Sequence, residues 1–131
     1  MKPTSDFNPT VAAKKLLREG RSGALATLMA GSGAPYCSLV NVATAADGAP
    51  LLLISRLAVH TKNILADPRV SVMIDERKEG DPLQGARIML MGNAAATNSA
   101  ASAVSVKISC GLRSTMRPNP ATRCAALSVT R

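Results

Sequence analysis

Apolar residues along this chain recur with a helical period once, near the start, and with a period of two through most of the remaining sequence. Asn8 followed by Pro9 predicts a helix start: asparagine can accept from the first free N–H groups, and proline at the first helical position forfeits no bond. Val11, Ala12, Leu16 and Leu17 share one face of this helix, Lys14, Lys15 and Arg18 lie toward the other face and the carboxyl end, and Gly20 ends it. Residues 24–30 form a short apolar run closed by Gly31-Ser32-Gly33. In residues 35–44, Tyr36, Ser38, Val40 and Val42 alternate with Cys37, Leu39, Asn41 and Ala43, which predicts a hairpin. Asp47-Gly48 makes the next turn, and residues 51–54 are apolar at every position, as expected of a strand buried on both faces. The three strands form an antiparallel meander.

The regular pattern then breaks at a polar cluster, Ser55, Arg56, His60, Thr61 and Lys62. Thr61 is placed to cap a helix of about two turns that carries Ile64 and Leu65 and stops at Asp67-Pro68. Val70, Val72 and Ile74 alternate into a fourth strand, and residues 75–84 are a charged loop containing Gly and Pro. Residues 86–96 form a fifth strand, with Ile88, Leu90 and Gly92 on one face and Arg87, Met89 and Met91 on the other. From Asn93 small residues dominate. Val104, Val106 and Ile108 alternate briefly, giving room for one more strand; residues 93–131 are otherwise expected to be weakly structured.

At 131 residues the chain is about one domain long. Its 47% hydrophobic and 18% charged content is that of a globular protein, but aromatics are 2%, Phe7 and Tyr36, so the core must be aliphatic. No stretch reaches the ~18 apolar residues of a membrane span, and no apolar run follows Lys2 as in a signal peptide, so a cytoplasmic protein is expected. Cys37, Cys110 and Cys124 are odd in number and lack paired CxxC spacing. With His60 the single histidine, they are expected to be free thiols, with no metal site. The net charge of +8 is uneven: eleven Lys/Arg and all eight Asp/Glu lie at or before Gly92, and five Lys/Arg with no acid come after it. Nucleic acid is disfavoured as a partner for such a chain, because its charge excess is concentrated in the tail and it has almost no aromatics for base stacking.

The chemistry-bearing positions narrow further. No phosphate-loop GxxxxGK[ST] or dinucleotide GxGxxG is present, and Asp75 and Glu76, beside Arg77 and Lys78, are a solvated charge run. A basic, hydroxyl-bearing cluster between two core strands suits an anion. The segments PYCSLVNVAT, LLLISRLAVHTKNILADPRVSVMIDE and GDPLQGARIMLMGNA together resemble the pyridoxamine 5′-phosphate oxidase-like, FMN-binding split-barrel family. Its haem-utilisation branch shares the patterns SRLAxHTxN and GARxxLMG in that order. The resemblance covers roughly residues 7–95; the carboxyl-terminal third does not match.

That resemblance implies a mainly β fold with few helices, an antiparallel FMN-binding split β-barrel over residues 1–95, incomplete at the carboxyl end, with residues 96–131 a divergent, weakly structured basic tail. It implies FMN as cofactor. Ser55, Arg56, Thr61 and Lys62 would hold the phosphate, and His60 lies where the oxidases carry a basic phosphate contact. Ser38, Leu39, Val40 and Asn41 would lay their backbone along the flavin ring, and Arg87 would reach the flavin across a subunit boundary. A homodimer with the cofactor at its interface is implied as well, acting as an FMN-dependent oxidoreductase on a small molecule the sequence does not identify. The cofactor carries the redox chemistry, so no catalytic residue is assigned. The alternatives are a non-catalytic flavin- or haem-binding protein and a truncated, non-functional family member; haem degradation is disfavoured because the haem branch takes iron-binding residues from its carboxyl end, where this chain has no histidine.

Overall fold

Two helices and seven strands occur in the order α1 (Pro9–Glu19), β1 (Ser22–Leu28), β2 (Pro35–Thr44), β3 (Pro50–Ser55), α2 (Val59–Ala66), β4 (Arg69–Asp75), β5 (Arg87–Ser99), β6 (Ala103–Ser109) and β7 (Ser128–Thr130). They come from a computed structural model that describes residues 8–77, 79–81, 83, 85–99, 103–109 and 128–130. The strands are antiparallel in the order β4-β1-β2-β3-β6-β5, and β4 also pairs with β5, which closes a six-stranded barrel. β7 adds to β5 at Arg87–Met89, opposite Ser128–Thr130.

Strand alternation sets what is inside. Leu25 and Thr27 of β1, Val40 and Val42 of β2, Leu52 and Ile54 of β3, and Val70, Val72 and Ile74 of β4 face the interior. So do Ile88, Leu90 and Ala94 of β5 and Val104, Val106 and Ile108 of β6. This is the aliphatic core the composition demands. Glycines allow two close approaches: a Cβ at Gly20 would lie 2.7 Å from the Ile74 side chain, and one at Gly85 2.6 Å from the Glu76 carbonyl oxygen. Gly85 thereby lets β5 start tightly against the end of β4, where the Glu76 N–H donates to the Ala86 carbonyl.

Several expectations are corrected. The barrel is not incomplete: β5 runs on to Ser99, and β6 lies between β3 and β5, pairing Leu51–Ser55 with Ala103–Lys107 on one side and Asn93–Ser99 with Val104–Ser109 on the other. The brief alternation at Val104, Val106 and Ile108 is an interior strand, and the sheet continues past residue 95. Residues 110–127 of the expected tail, with Cys110 and Cys124, lie outside the described residues. β3 is buried on one face only, since a single barrel layer has one inside; Leu53 on its outer face is 67% exposed. The buried face of α1 is Ala13, Leu16 and Leu17, with Val11 exposed.

A helix covers each end of the barrel. α1 starts as its sequence predicts, with the Asn8 side chain accepting from Thr10 and Val11 N–H, and Gly20 N–H closing it on the Leu16 carbonyl. It packs Ala13, Leu16 and Leu17 against β2, β4 and β5, and the Thr44 hydroxyl donates to the Leu17 carbonyl at 2.8 Å. α2 covers the other end, against β1 and β2. Its buried residues are Thr61, Asn63 and Ile64, so polar groups make most of the contact.

Candidate functional site

The α2 end is built from the turn that leaves β3. The Ser55 hydroxyl accepts from Leu57 N–H, and the Ser55 carbonyl receives both the Ala58 N–H at 3.2 Å and the Thr61 hydroxyl at 2.5 Å. These bonds turn the chain within three residues and start α2 at Val59. Thr61 is therefore not the helix cap expected from its position. The N-cap is Ala58, which offers no side-chain bond, while Thr61 sits inside the first turn, 1% exposed, its hydroxyl directed back to β3. With that hydroxyl buried and donating to the protein, Thr61 does not face a ligand. No side chain caps the start of α2, whose Thr61 and Lys62 N–H groups both return to the Ala58 carbonyl, and the positive end of the helix dipole lies at Val59 and His60.

His60 comes next after Val59. Its Nδ1 lies 3.0 Å from the Ser38 hydroxyl on β2, and its Nε2 is buried without a partner, the sole buried side-chain polar atom among the described residues in that condition. Burial pushes the imidazole below the usual histidine range. A buried polar atom left unpaired costs about 1–3 kcal/mol, and natural interiors carry few of them. A protein keeps one where something else completes it or where the ring turns to meet a ligand. Arg56, in the turn, and Lys62, on α2, are exposed and have no acidic partner among the described residues. Two cations, a hydroxyl and an imidazole on one turn and the helix after it are residue types that suit an anion.

β2 supplies the second wall. Val42 N–H donates to the Arg21 carbonyl and Met29 N–H to the Ala34 carbonyl, so the even-numbered residues of β2 exchange their backbone bonds with β1. The odd-numbered ones point away. Ala43 meets Leu51 of β3, but pairing between β2 and β3 spans only Val42–Thr44, and beyond it the two strands part. The backbone of Leu39 is directed away from β1 at a position beyond this pairing, whereas the N–H and C=O groups of Ser38 and Val40 are directed to β1. Ser38 contributes its side chain instead.

Arg87 is elsewhere. It opens β5 opposite Asp75, at the end of β4 away from α2, and its guanidinium donates to the Leu83 carbonyl at 3.3 Å. Within one chain it does not join Arg56 and His60. Sequence reasoning missed Asn63, which is 1% exposed. Its Oδ1 accepts from Ala30 N–H and its Nδ2 donates to the Thr27 hydroxyl, both at 3.0 Å. The available signal was a polar residue at helical spacing from His60, beside Ile64. A separate cleft of about 380 Å³ lies at the opposite end, between α1 and the β2–β3 turn, lined by Lys14, Leu17, Arg18, Thr44 and Asp47. None of the candidate residues borders it. Among the described residues no group of three or more His, Cys, Asp or Glu is placed to hold a metal, and no helix is long and apolar enough to cross a membrane.

Comparison with known proteins gives the arrangement a context. The family model described as pyridoxamine 5′-phosphate oxidase matches residues 10–129, which carries the match through β6 and past residue 95. The non-canonical heme oxygenase HOZ, chloroplastic, of Arabidopsis thaliana is 45% identical over 62 residues, 47% of this chain and 19% of that protein. The chain thus spans about a fifth of the length of this relative. A heme binding protein of Mycobacterium smegmatis shares the fold with a TM-score of 0.70 at 24% identity, over 80% of this chain and 52% of that one. A FAD-binding protein of Mesorhizobium loti does so with a TM-score of 0.59 at 21% identity, over 75% and 86%.

Proposed function

The chain belongs to the pyridoxamine 5′-phosphate oxidase family, and from that premise we propose that it is an FMN-binding protein acting as a flavin-dependent oxidoreductase. One observation carries the reading. At the α2 end of the barrel an imidazole nitrogen, His60 Nε2, is buried without a partner, on a helix and turn that also carry Ser55, Arg56 and Lys62. Arg56 and Lys62 would neutralise the phosphate, Ser55 and the first N–H groups of α2 would donate to it, and His60 would turn Nε2 toward it. The β2 backbone around Leu39 and Asn41 would run along the edge of the flavin ring, and Ser38 would hold His60. When bound, FMN supplies the electron-transfer chemistry; the protein has to hold it, exclude water and shape a substrate pocket.

A homodimer belongs to the same reading, with Arg87 supplied by the second subunit. Its support is an outward row without charge across four adjacent strands: Leu39 opposite Ala24, Ala24 opposite Met73 and Met73 opposite Met89, with Leu39 71% and Met89 40% exposed. An apolar band of this kind marks a protein interface more often than a free surface. Met73→Glu is expected to convert dimers to monomers in size-exclusion chromatography, and to weaken flavin binding with it.

The visible spectrum of the purified protein tests the cofactor. Flavin bands that a reductant bleaches and air restores are expected, either as isolated or after titration with FMN. Colourless protein that takes up no flavin would overturn the reading. Haem is the competing cofactor, favoured by the names of two relatives; a Soret band on addition of haemin, with no flavin uptake, would establish it instead.

A further inference from the structure

α2 has eight residues, too few to persist as a helix alone. Little apolar area holds it, because Ile64 is its one buried large aliphatic side chain while Leu65 is 71% and Val59 40% exposed. What fixes it is a set of directional bonds from neighbouring positions, each to a different strand. Thr61 bonds the end of β3, His60 meets Ser38 on β2, and Asn63 bonds Thr27 on β1 together with Ala30 in the β1–β2 turn. The His60 and Asn63 attachments sit on successive inward positions of one hairpin, since Ser38 pairs with Leu25 and Tyr36 with Thr27.

We propose that Asn63, assisted by Thr61, is the positioning residue of the candidate site: its buried amide sets the rotation and depth of α2, and thereby the place at which His60 and the helix start meet the anionic ligand. Apolar packing alone would hold the helix near the barrel but leave its rotation loose. An amide engaged at both ends has one geometry, and a site must be held to within a fraction of an ångström to bind well. Ile64 and Asn63 are neighbours in the chain, so the two kinds of anchoring can be removed separately.

The ligand side of this inference rests on the flavin reading above; the helix side does not. Because His60 is the only histidine, the untagged protein gives a single imidazole signal by NMR, and its titration reports the placement of the ring with or without flavin. Thr27→Val removes the acceptor of the Asn63 amide while conserving shape, Thr61→Val removes the other tether, and Thr61→Ser restores it. In Thr27→Val and Thr61→Val the imidazole is expected to titrate closer to the ordinary histidine value and FMN to bind about tenfold more weakly. Thr61→Ser is expected to behave as the parent, and Ile64→Val to lower the thermal midpoint while moving neither readout. If Thr27→Val and Thr61→Val lower only the thermal midpoint, with the imidazole titration and FMN affinity of the folded protein as in the parent, the proposal is wrong. If the parent binds no FMN, the flavin reading fails, and the imidazole titration still decides whether Asn63 and Thr61 position His60.

Discussion

The two ends of the barrel are closed by helices of one chain in opposite ways. At the α1 end, Ala13, Leu16 and Leu17 bury aliphatic surface, and the nearby Thr44 hydroxyl is bonded to the Leu17 carbonyl. At the α2 end, Thr61, Asn63 and His60 make the contact through hydrogen bonds, and one nitrogen is left over. The first arrangement is what stability selects, since apolar burial is non-directional and tolerant. The second is inferior as a plug, because a short polar helix with an unpaired imidazole gives up stabilisation that leucines would supply. That difference is the physical ground on which the α2 end is proposed as the site.

Three perturbations separate the ends, in decreasing order of size. Leu17→Ala is expected to remove about 2–5 kcal/mol of stability in urea denaturation, the usual penalty for truncating a buried leucine, and to leave the FMN affinity of the folded fraction unchanged. A lost affinity there would mean that the two ends are coupled. Arg56→Ala is expected to do the reverse. Losing a charge-assisted bond of about 1.5–3 kcal/mol weakens FMN binding roughly 10- to 100-fold, measured by quenching of flavin fluorescence, with no resolvable change in the urea midpoint, because the side chain is exposed.

The smallest effect is that of pH. Burial depresses the His60 value below the 6.5 of a free imidazole. The unfolded chain therefore takes up a proton before the folded one does, and the flavin-free protein should lose stability as pH falls from about 6.5 through the folded-state value. Urea midpoints measured across that window in the parent and in His60→Gln check this: the slope should be shallower in the variant. An equal slope in both would mean that His60 carries no such linkage.

The barrel was largely legible because period-two alternation survives in β2, β4 and the first half of β5, and because Asn8-Pro9 and Pro68 punctuate the helices unambiguously. β6 was harder to read. Val104, Val106 and Ile108 are its only apolar period, embedded among Ala, Ser and Asn, and their burial depends on β3 and β5 lying on either side. Leu53 misled in the other direction: a leucine inside an apolar run gives no sign that its face of the sheet is outside the barrel. At the site, residue types were legible and their roles were not. Thr61 had the composition of a cap, but a threonine can equally reach back six residues to a carbonyl, as it does to Ser55. Asn63 attracted no attention because its function lies in two backbone-distant partners, Thr27 and Ala30, which sequence spacing cannot bring together.

The claim that the α2 end holds the anionic end of a flavin is tested most directly by following the lone imidazole signal of the untagged protein while FMN is added. The predicted result is a saturable shift that tracks flavin binding, with the imidazole titrating at higher pH in the complex because a phosphate dianion beside it favours the charged ring. A signal that stays at its flavin-free position and titration while FMN binds to saturation would place the cofactor elsewhere on the molecule.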